Sequence, residues 1–527
     1  MPKLHKDPVF ILIKSLSKAE KRQFRLDYTP KKKKTLPLFV QLFNKLDKIT
    51  QYDENKLLSQ IPKLKRQQLS NQKAHLYNHI LETLRRLDRK KDIRIHIRQL
   101  IDYAQILYNK GLYQQSLKLL EKAKSLAKTH QEIELKMQVL ELEKVIEARH
   151  ITRSIENRAE QLSEESKDCI HQLSSLSRLS NLALNMYGMY LKMGHIRNEK
   201  EALMLHSFFK NNLPEEVNPR LGTASIAIQS MTFYEKVNLY QAHSWYAYIL
   251  QDFILFYRYT QKWVDLFEKY PSQKETDPAL YLKAINNLLT AHFFNQNYDK
   301  FKTTLASLET FWKSHYKKFN KNTKVLAFVH TYTAKINQHF LEGTFQEGTI
   351  FIPELLEELE KYRMQMDQHR ILVFYYKIAC LYFGSGDNHN AIQFLNKIIN
   401  LKIGNLRADI QCFARILHLI AHYELKNYDV TEYLLPSVYH FLEKNKDLSA
   451  VVEEMLTFLK KFNHVGIRGL RAAFIDLKDR LEEVAENPYE RRFFLYLDVI
   501  SWLESKINRR PVQDVIREKF LRKEPRI

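Results

Sequence analysis

The feature that most restricts this chain is a recurring pair of amphipathic helices closed by a short turn. In the clearest copy Leu100, Ala104 and Leu107 share one face of a helix that ends at Asn109–Lys110–Gly111. Tyr113 opens a second helix whose apolar face carries Ser116, Leu120 and Ala123. Small side chains at Ala104 and Ser116 let two helices approach closely, Tyr113 is placed to wedge over the turn, and Leu120 and Ala123 face the next pair. The register returns at Gly343–Phe345–Gly348–Ile352–Leu355, and at Gly386–Asn388–Ala391–Leu395–Ile398 after Ala379 and Tyr382. It returns again at Tyr428–Thr431–Leu435–Val438 after Leu419 and His422. Weaker copies are Gln296–Tyr298–Phe301–Leu305–Leu308 and Gly194–Ile196–Glu199. The second-helix markers fall at 113, 196, 298, 345, 388 and 428, and each of the two longer gaps is expected to hide a divergent copy.

This order of small residue, Gly, Tyr, small residue, large apolar and Ala resembles the tetratricopeptide signature over roughly residues 92–440, with Ser116 in place of the usual Ala. The spacing of the later copies exceeds the family's ~34 residues, so helices or loops are longer than standard. The resemblance implies stacked helix pairs in a right-handed superhelix, with a concave face that binds a peptide or protein segment. The fold class expected is therefore all-α, a tetratricopeptide-like α-solenoid preceded by a small basic helical bundle. The domains expected are a basic N-terminal domain over 1–91, the repeat array over 92–485, and a capping helix with a basic tail over 486–527.

Composition agrees with helices. The chain has 11 Gly and 14 Pro in 527 residues, too few for the turns that all-β folds and phosphate loops require. Cys169, Cys380 and Cys412 are far apart and odd in number, which points to a reducing compartment rather than a disulfide scaffold. The apolar run Val9–Ile13 is too short for a signal peptide, and Trp245–Tyr259 is broken by Gln251 and Asp252, so a cytoplasmic protein without a membrane span is expected.

Charge is uneven. Residues 1–100 carry 25 Lys and Arg against 9 Asp and Glu, an excess of 16 out of the net +23. Such a segment fits an anionic partner, nucleic acid or an acidic protein surface, and equally a solvated helix face. Ser17–Lys18–Ala19–Glu20 reads as a capping box, Pro37 starts a helix with Leu38, Phe39, Leu42, Phe43 and Leu46, and Asp53 caps a short helix. Ser70 is expected to cap a longer one with Leu76, Ile80 and Leu84. A short helix, a turn and a longer helix among basic residues is the layout of a helix-turn-helix reader, with Lys31, Lys32, Lys33, Lys34, Lys63, Lys65, Arg66 and Lys73 as candidate phosphate contacts. The same layout serves a bundle that docks or caps the array. Ile93, Ile95 and Ile97 alternate like a strand but continue into a helical stripe through Ile101 and Ala104.

No GxxxxGK[ST], GxSxG or HExxH motif is present, and Gly384–Ser385–Gly386 reads as an inter-helix turn. The pairs His75/His79 and His418/His422 have one-face spacing without further ligands, and Glu354, Glu357, Glu358 and Glu360 read as a solvated helix face. Neither cofactor nor metal nor catalytic group is expected. The aromatic cluster from Tyr234 to Trp263 reads mainly as inter-helix core. Phe493–Phe494 to Trp502–Leu503, bracketed by Pro488 and Pro511, reads as one capping helix. The function expected is a non-catalytic scaffold that binds a protein or peptide. The alternative is a sensor-regulator whose N-terminal domain binds nucleic acid.

Overall fold

The computed structural model describes residues 7–523 except 31–34, 90, 151–156, 218–223, 402–406, 446–448, 462–468, 492 and 495–496. Among the described residues the chain is all-α with no strand, and successive helices pack on their sequence neighbours as in an α-solenoid. It forms two compact units, Met1–His171 and Gln172–Ile527.

In the first unit, helices Pro8–Ser15, Lys18–Tyr28, Leu38–Lys48, Glu54–Ser59 and Arg66–Asp88 enclose a core of Ile13, Phe24, Leu42, Phe43, Leu46, Leu76 and Ile80. Ser17 and Glu20 form the expected capping box, and Asp53 accepts from the Lys56 amide. The long helix begins four residues before Ser70. The backbone amide of Lys65 is satisfied at 3.3 Å by the Gln68 side chain, so the chain turns helical at once and Ser70 lies in the helix, not at its cap. Helices Ile93–Asn109, Tyr113–Thr129 and Ile133–Arg149 follow, each 17 residues long, around a second core of Ile97, Leu120, Val139 and Ile146. Ala104, Ser116, Leu120 and Ala123 are fully buried, and the Ser116 hydroxyl donates to the Ala104 carbonyl at 2.8 Å, tying the two helices at their closest approach. Tyr113 stacks on His150.

In the second unit the pairs are Phe233–Ile249 with Phe253–Lys269, Pro278–Phe294 with Tyr298–His315, Lys321–Glu342 with Phe345–Ile350 and Ile352–Lys361, Gln368–Gly384 with Asn388–Ile399, and Ala408–Glu424 with Tyr428–Lys444. Most of these helices also run to 17 residues, and with their linkers this accounts for the wide spacing. Ala379 and Ala391 are fully buried, Phe345 lies flat over Gly384, and Tyr428 packs beside Tyr423. Two helices opening after such short turns, at Ile133 and Phe253, escaped the sequence register. Ile196, by contrast, lies in a loop before the helix Glu199–Asn212.

One turn recurs eight times among the described residues. A residue in left-handed conformation (Gly111, Gln131, Gln251, Gln296, Gly343, Gly386, Lys426 or Arg509) ends a helix, and the amide after it bonds to a carbonyl five residues back, at 2.8–3.1 Å. This is the Schellman closure, which satisfies carbonyls that a helix end would otherwise leave bare. At Asp252, Asn297 and Asp387 that following residue also accepts from the first turn of the next helix. Two residues thus end one helix and start another.

The C-terminal part differs from a single capping helix. Asp498 accepts from the Ser501 amide at 3.0 Å and opens Val499–Ile507 there, after buried Phe493 and Phe494. The Trp502 indole and the Lys506 ammonium both donate to Glu424. The last helix, Val512–Arg522, then runs back onto the turns: Arg517 donates to the Glu342 carbonyl and Phe520 packs edge-on to Tyr298.

Glycine substitutions separate the two roles of these turns. Gly111 has φ +76° with open space around a Cβ, so Gly111→Ala is expected to cost about 1 kcal/mol. At Gly343, φ +69°, a Cβ would sit 2.5 Å from the Arg517 backbone nitrogen, and Gly343→Ala is expected to cost about 2–3 kcal/mol. Denaturant unfolding with equal losses for both variants would show that the C-terminal helix is not held at that turn.

Candidate functional site

The first helices of the second unit carry side chains that a packed core excludes. Gln368–Gly384 is apolar on nearly every side, yet Lys377 stands between Tyr376 and Ile378, both buried. Helix periodicity places Arg370, Lys377 and Cys380 on one stripe of it, Lys283, Asn287 and Thr290 on one stripe of Pro278–Phe294, and His330, Ala334 and Asn337 on one stripe of Lys321–Glu342. Gln411, Arg415 and His418 do the same on Ala408–Glu424. First helices of successive pairs pack side by side here, and the first three of these stripes adjoin, whereas that of Ala408–Glu424 turns toward Tyr428–Lys444.

Two hydrogen bonds cross from helix to helix along this polar seam. Lys283 Nζ donates to Gln241 Oε1 at 2.8 Å, and Lys377 Nζ donates to Asn337 Oδ1 at 2.6 Å. Arg415 donates to the Gln411 carbonyl at 2.9 Å, with its guanidinium over the Phe441 ring at 3.5 Å. Each of the three cations is thus held by a neutral oxygen, and no ion pair of theirs occurs among the described residues. Gln241, Asn337 and Gln411 are buried, whereas Lys283, His330, Lys377 and Arg415 are half-buried. Burial pushes the Lys377 ammonium down to about 8 and lowers that of Lys283 as well. These side chains are thus largely desolvated yet keep some surface. Along the same helices, Nε2 of buried His418 and Oγ1 of buried Thr331 have no hydrogen-bond partner.

Beside the seam, Arg407 forms a buried bidentate pair with Asp409 and lies over the Tyr190 ring at 5.4 Å. Its charge is already matched, and it joins Tyr190 to the start of Ala408–Glu424.

The expected anion contacts fare differently. Lys31, Lys32, Lys33 and Lys34 lie outside the described residues. Lys63, Lys65 and Arg66 are exposed at the start of Arg66–Asp88, and Arg66 makes only a long pair with Glu54 at 3.6 Å. Lys73 points elsewhere: it pairs with Asp7 at 2.8 Å and bonds to the Tyr52 hydroxyl. Burial opposes its charge, but these bonds hold its ammonium above the ordinary value, so it ties the first helix to the long one. His418 and His422 are neighbours with ring centroids 4.5 Å apart, and no group of three metal-ligating side chains occurs among the described residues. Within the aromatic cluster Tyr240, Phe256 and Trp263 are buried core. No described helix is long and apolar enough to cross a membrane.

Sequence reading missed the seam, although a signal existed: a lone Lys in the apolar stretch Ile371–Leu381 and a lone Lys beside Ala284 and Ile285. Such residues seldom sit in a core without a reason.

Burial also fixes the acid response of this unit. It pushes His243 and His330 down to about 3, and His292, His369 and His418 to about 4. These folded values lie below the unfolded 6.5, so their contribution is fully present above pH 6.5 and is lost as pH falls toward 4, where only the unfolded chain takes up protons. Urea midpoints should fall steadily over that window, and His243→Phe, which keeps the stacking on Tyr259, should flatten the fall. A midpoint independent of pH between 7 and 4 would contradict this reading.

A scan against protein-family models finds no match to this sequence, and a search of curated proteins finds none either.

Proposed function

We propose that this chain is a non-catalytic interaction scaffold of the cytoplasm, in which a tetratricopeptide-like array holds a protein or peptide segment along the first helices of its pairs. The observation that carries this reading is the polar seam. Buried Gln241 and Asn337 accept from half-buried Lys283 and Lys377, bond by bond between first helices, where an array with a purely structural role would pack aliphatic side chains. The repeat distributes donors and acceptors over several helices, which suits an extended segment better than a compact small molecule. Three cysteines that remain thiols fit a reducing compartment.

Display of a random peptide library against the full-length protein tests it. The wild type is expected to enrich related sequences, and Asn337→Ala combined with Gln411→Ala is expected to lose them while keeping its helical circular dichroism. Failure of the wild type to enrich any family would overturn the scaffold reading.

A second reading, a sensor-regulator that binds nucleic acid through residues 1–91, draws support from one observation. Lys63, Lys65 and Arg66 are exposed where Arg66–Asp88 begins, and Gln67, Gln68 and Asn71 are exposed on its first turns. Cations flanking such a helix start can neutralise phosphates while the amides meet base edges. Duplex binding that weakens steeply with salt and disappears in Lys63→Ala/Lys65→Ala/Arg66→Ala is the expected result of this reading. The absence of binding at low salt removes it.

A further inference from the structure

We infer that the exposed face of Arg66–Asp88 enters the major groove of duplex DNA and reads A·T base pairs there. This rests on the reading that residues 1–91 bind nucleic acid, and it names what they recognise.

The helix is held from behind and bare in front. Leu69, Leu76, Ile80 and Thr83 form one buried stripe, and the ion pairs Lys73–Asp7 at 2.8 Å and Arg86–Asp27 at 2.7 Å anchor the helix to those before it. Gln67, Asn71, Ala74 and Asn78 recur at helical spacing on the opposite stripe, and all four are exposed. A solvated helix face ordinarily carries charges of both signs. From Arg66 to Leu81 this helix has no acidic residue, and the exposed stripe carries amides instead. Elsewhere surface amides bond within their own helix, as Gln105 does to Asn109 and Asn212 to the Phe208 carbonyl. Among the described residues the side chains of Gln67, Asn71 and Asn78 have no such partner. Each therefore presents a donor and an acceptor, side by side, to whatever lies against it.

Those groups match one kind of base pair. A side-chain amide bonds bidentately to N6 and N7 of adenine and a methyl packs on the thymine methyl, whereas guanine calls for Arg or Lys. Between Gln67 and Leu81 the only Lys or Arg is Lys73, and it is turned inward to Asp7. Ala74 supplies a methyl among the amides. At about 1.5 Å per residue the helix rises about 16 Å from Gln67 to Asn78, the length of about five base pairs at ~3.4 Å each. A helix about 10–12 Å across fits the ~12 Å major groove. Lys63, Lys65 and Arg66, exposed at the start of the helix, supply positive charge for the phosphates that flank the groove.

Fluorescence anisotropy on the full-length protein tests this. The probes are fluorescein-labelled duplexes of about 20 base pairs that differ only over about five central pairs, the length estimated from the helix rise. In the first these pairs are A·T and T·A in random order, and in the second G·C and C·G. In the third, 7-deaza-adenine replaces the central adenines of the first. The A·T duplex is expected to bind at least about tenfold more tightly than the G·C duplex. Gln67→Ala/Asn71→Ala/Asn78→Ala should lose that preference yet bind the G·C duplex as the wild type does, which separates readout from folding. Asn71→Ala and Asn78→Ala should each weaken only A·T binding, by about five- to tenfold. The 7-deaza duplex, which lacks the major-groove acceptor, should bind like the G·C duplex. Lys63→Ala/Lys65→Ala/Arg66→Ala should lose both duplexes alike. Equal binding of the A·T and G·C duplexes, or a preference that persists in the amide variants or in the 7-deaza duplex, overturns the inference and leaves nucleic-acid binding intact. Absence of duplex binding at low salt overturns the nucleic-acid reading itself, and the inference with it.

Discussion

Among the described residues, eight helix ends are closed by one hydrogen-bonding arrangement. An amide reaches a carbonyl five residues back across a residue with positive φ. The rest of each unit depends on this closure because it reverses the chain within two residues and consumes the orphan carbonyls as it does so. With the turn so short, two 17-residue helices must pack along their length, and small residues at the contact let them do so. The hydroxyl of Ser116 on the carbonyl of Ala104 shows how close that approach is. At several turns the residue after the positive φ also caps the next helix, so termination and initiation are one event.

Such pairing has a consequence for burial. A helix on the outside of a pair needs one apolar stripe, and Asn388–Ile399 has it in Ala391, Leu395 and Ile398. First helices are packed from several sides, and Ala408–Glu424 buries side chains around most of its circumference. Polar groups on such a helix must find partners within the fold or keep some surface. Lys283 with Gln241 and Lys377 with Asn337 do both, since each bond spans two helices while the cation keeps some surface. The seam is thus a product of the packing, written in residues that the apolar pattern alone would not tolerate.

Ion pairs divide the remaining charges into structural and unassigned. Lys73, attractive in sequence as a phosphate contact, is drawn inward by Asp7 and Tyr52, and Arg25 and Lys21 converge on Asp47. Arg85 and Arg86 find Asp102 and Asp27. What looked like a uniformly basic segment therefore spends much of its charge on its own carboxylates, and the exposed remainder is spread over several helices, with Lys63, Lys65 and Arg66 together at the start of Arg66–Asp88.

Local chemistry determined much of this protein without reference to tertiary contacts. The capping box at Ser17, the cap at Asp53 and the turns at Gly111, Gly343 and Gly386 depend on residues within a few positions of one another, so they were legible in the sequence. The helical class follows from apolar periodicity in the same way. The turns at Gln131 and Gln251 were not legible, and those at Gln296 and Lys426 showed only through the apolar register that follows them, because a non-glycine residue is held at positive φ only when packing of the two helices outweighs its local cost of about 1–2 kcal/mol. The return of the C-terminal helix to Glu342 and the fate of Lys73 also required the fold, each being set by a partner distant in sequence. The seam belongs wholly to that second class. Gln241, Lys283, Asn337 and Lys377 are each 40 residues or more from the next, the bonded pairs included, and only the packing of first helices brings them together.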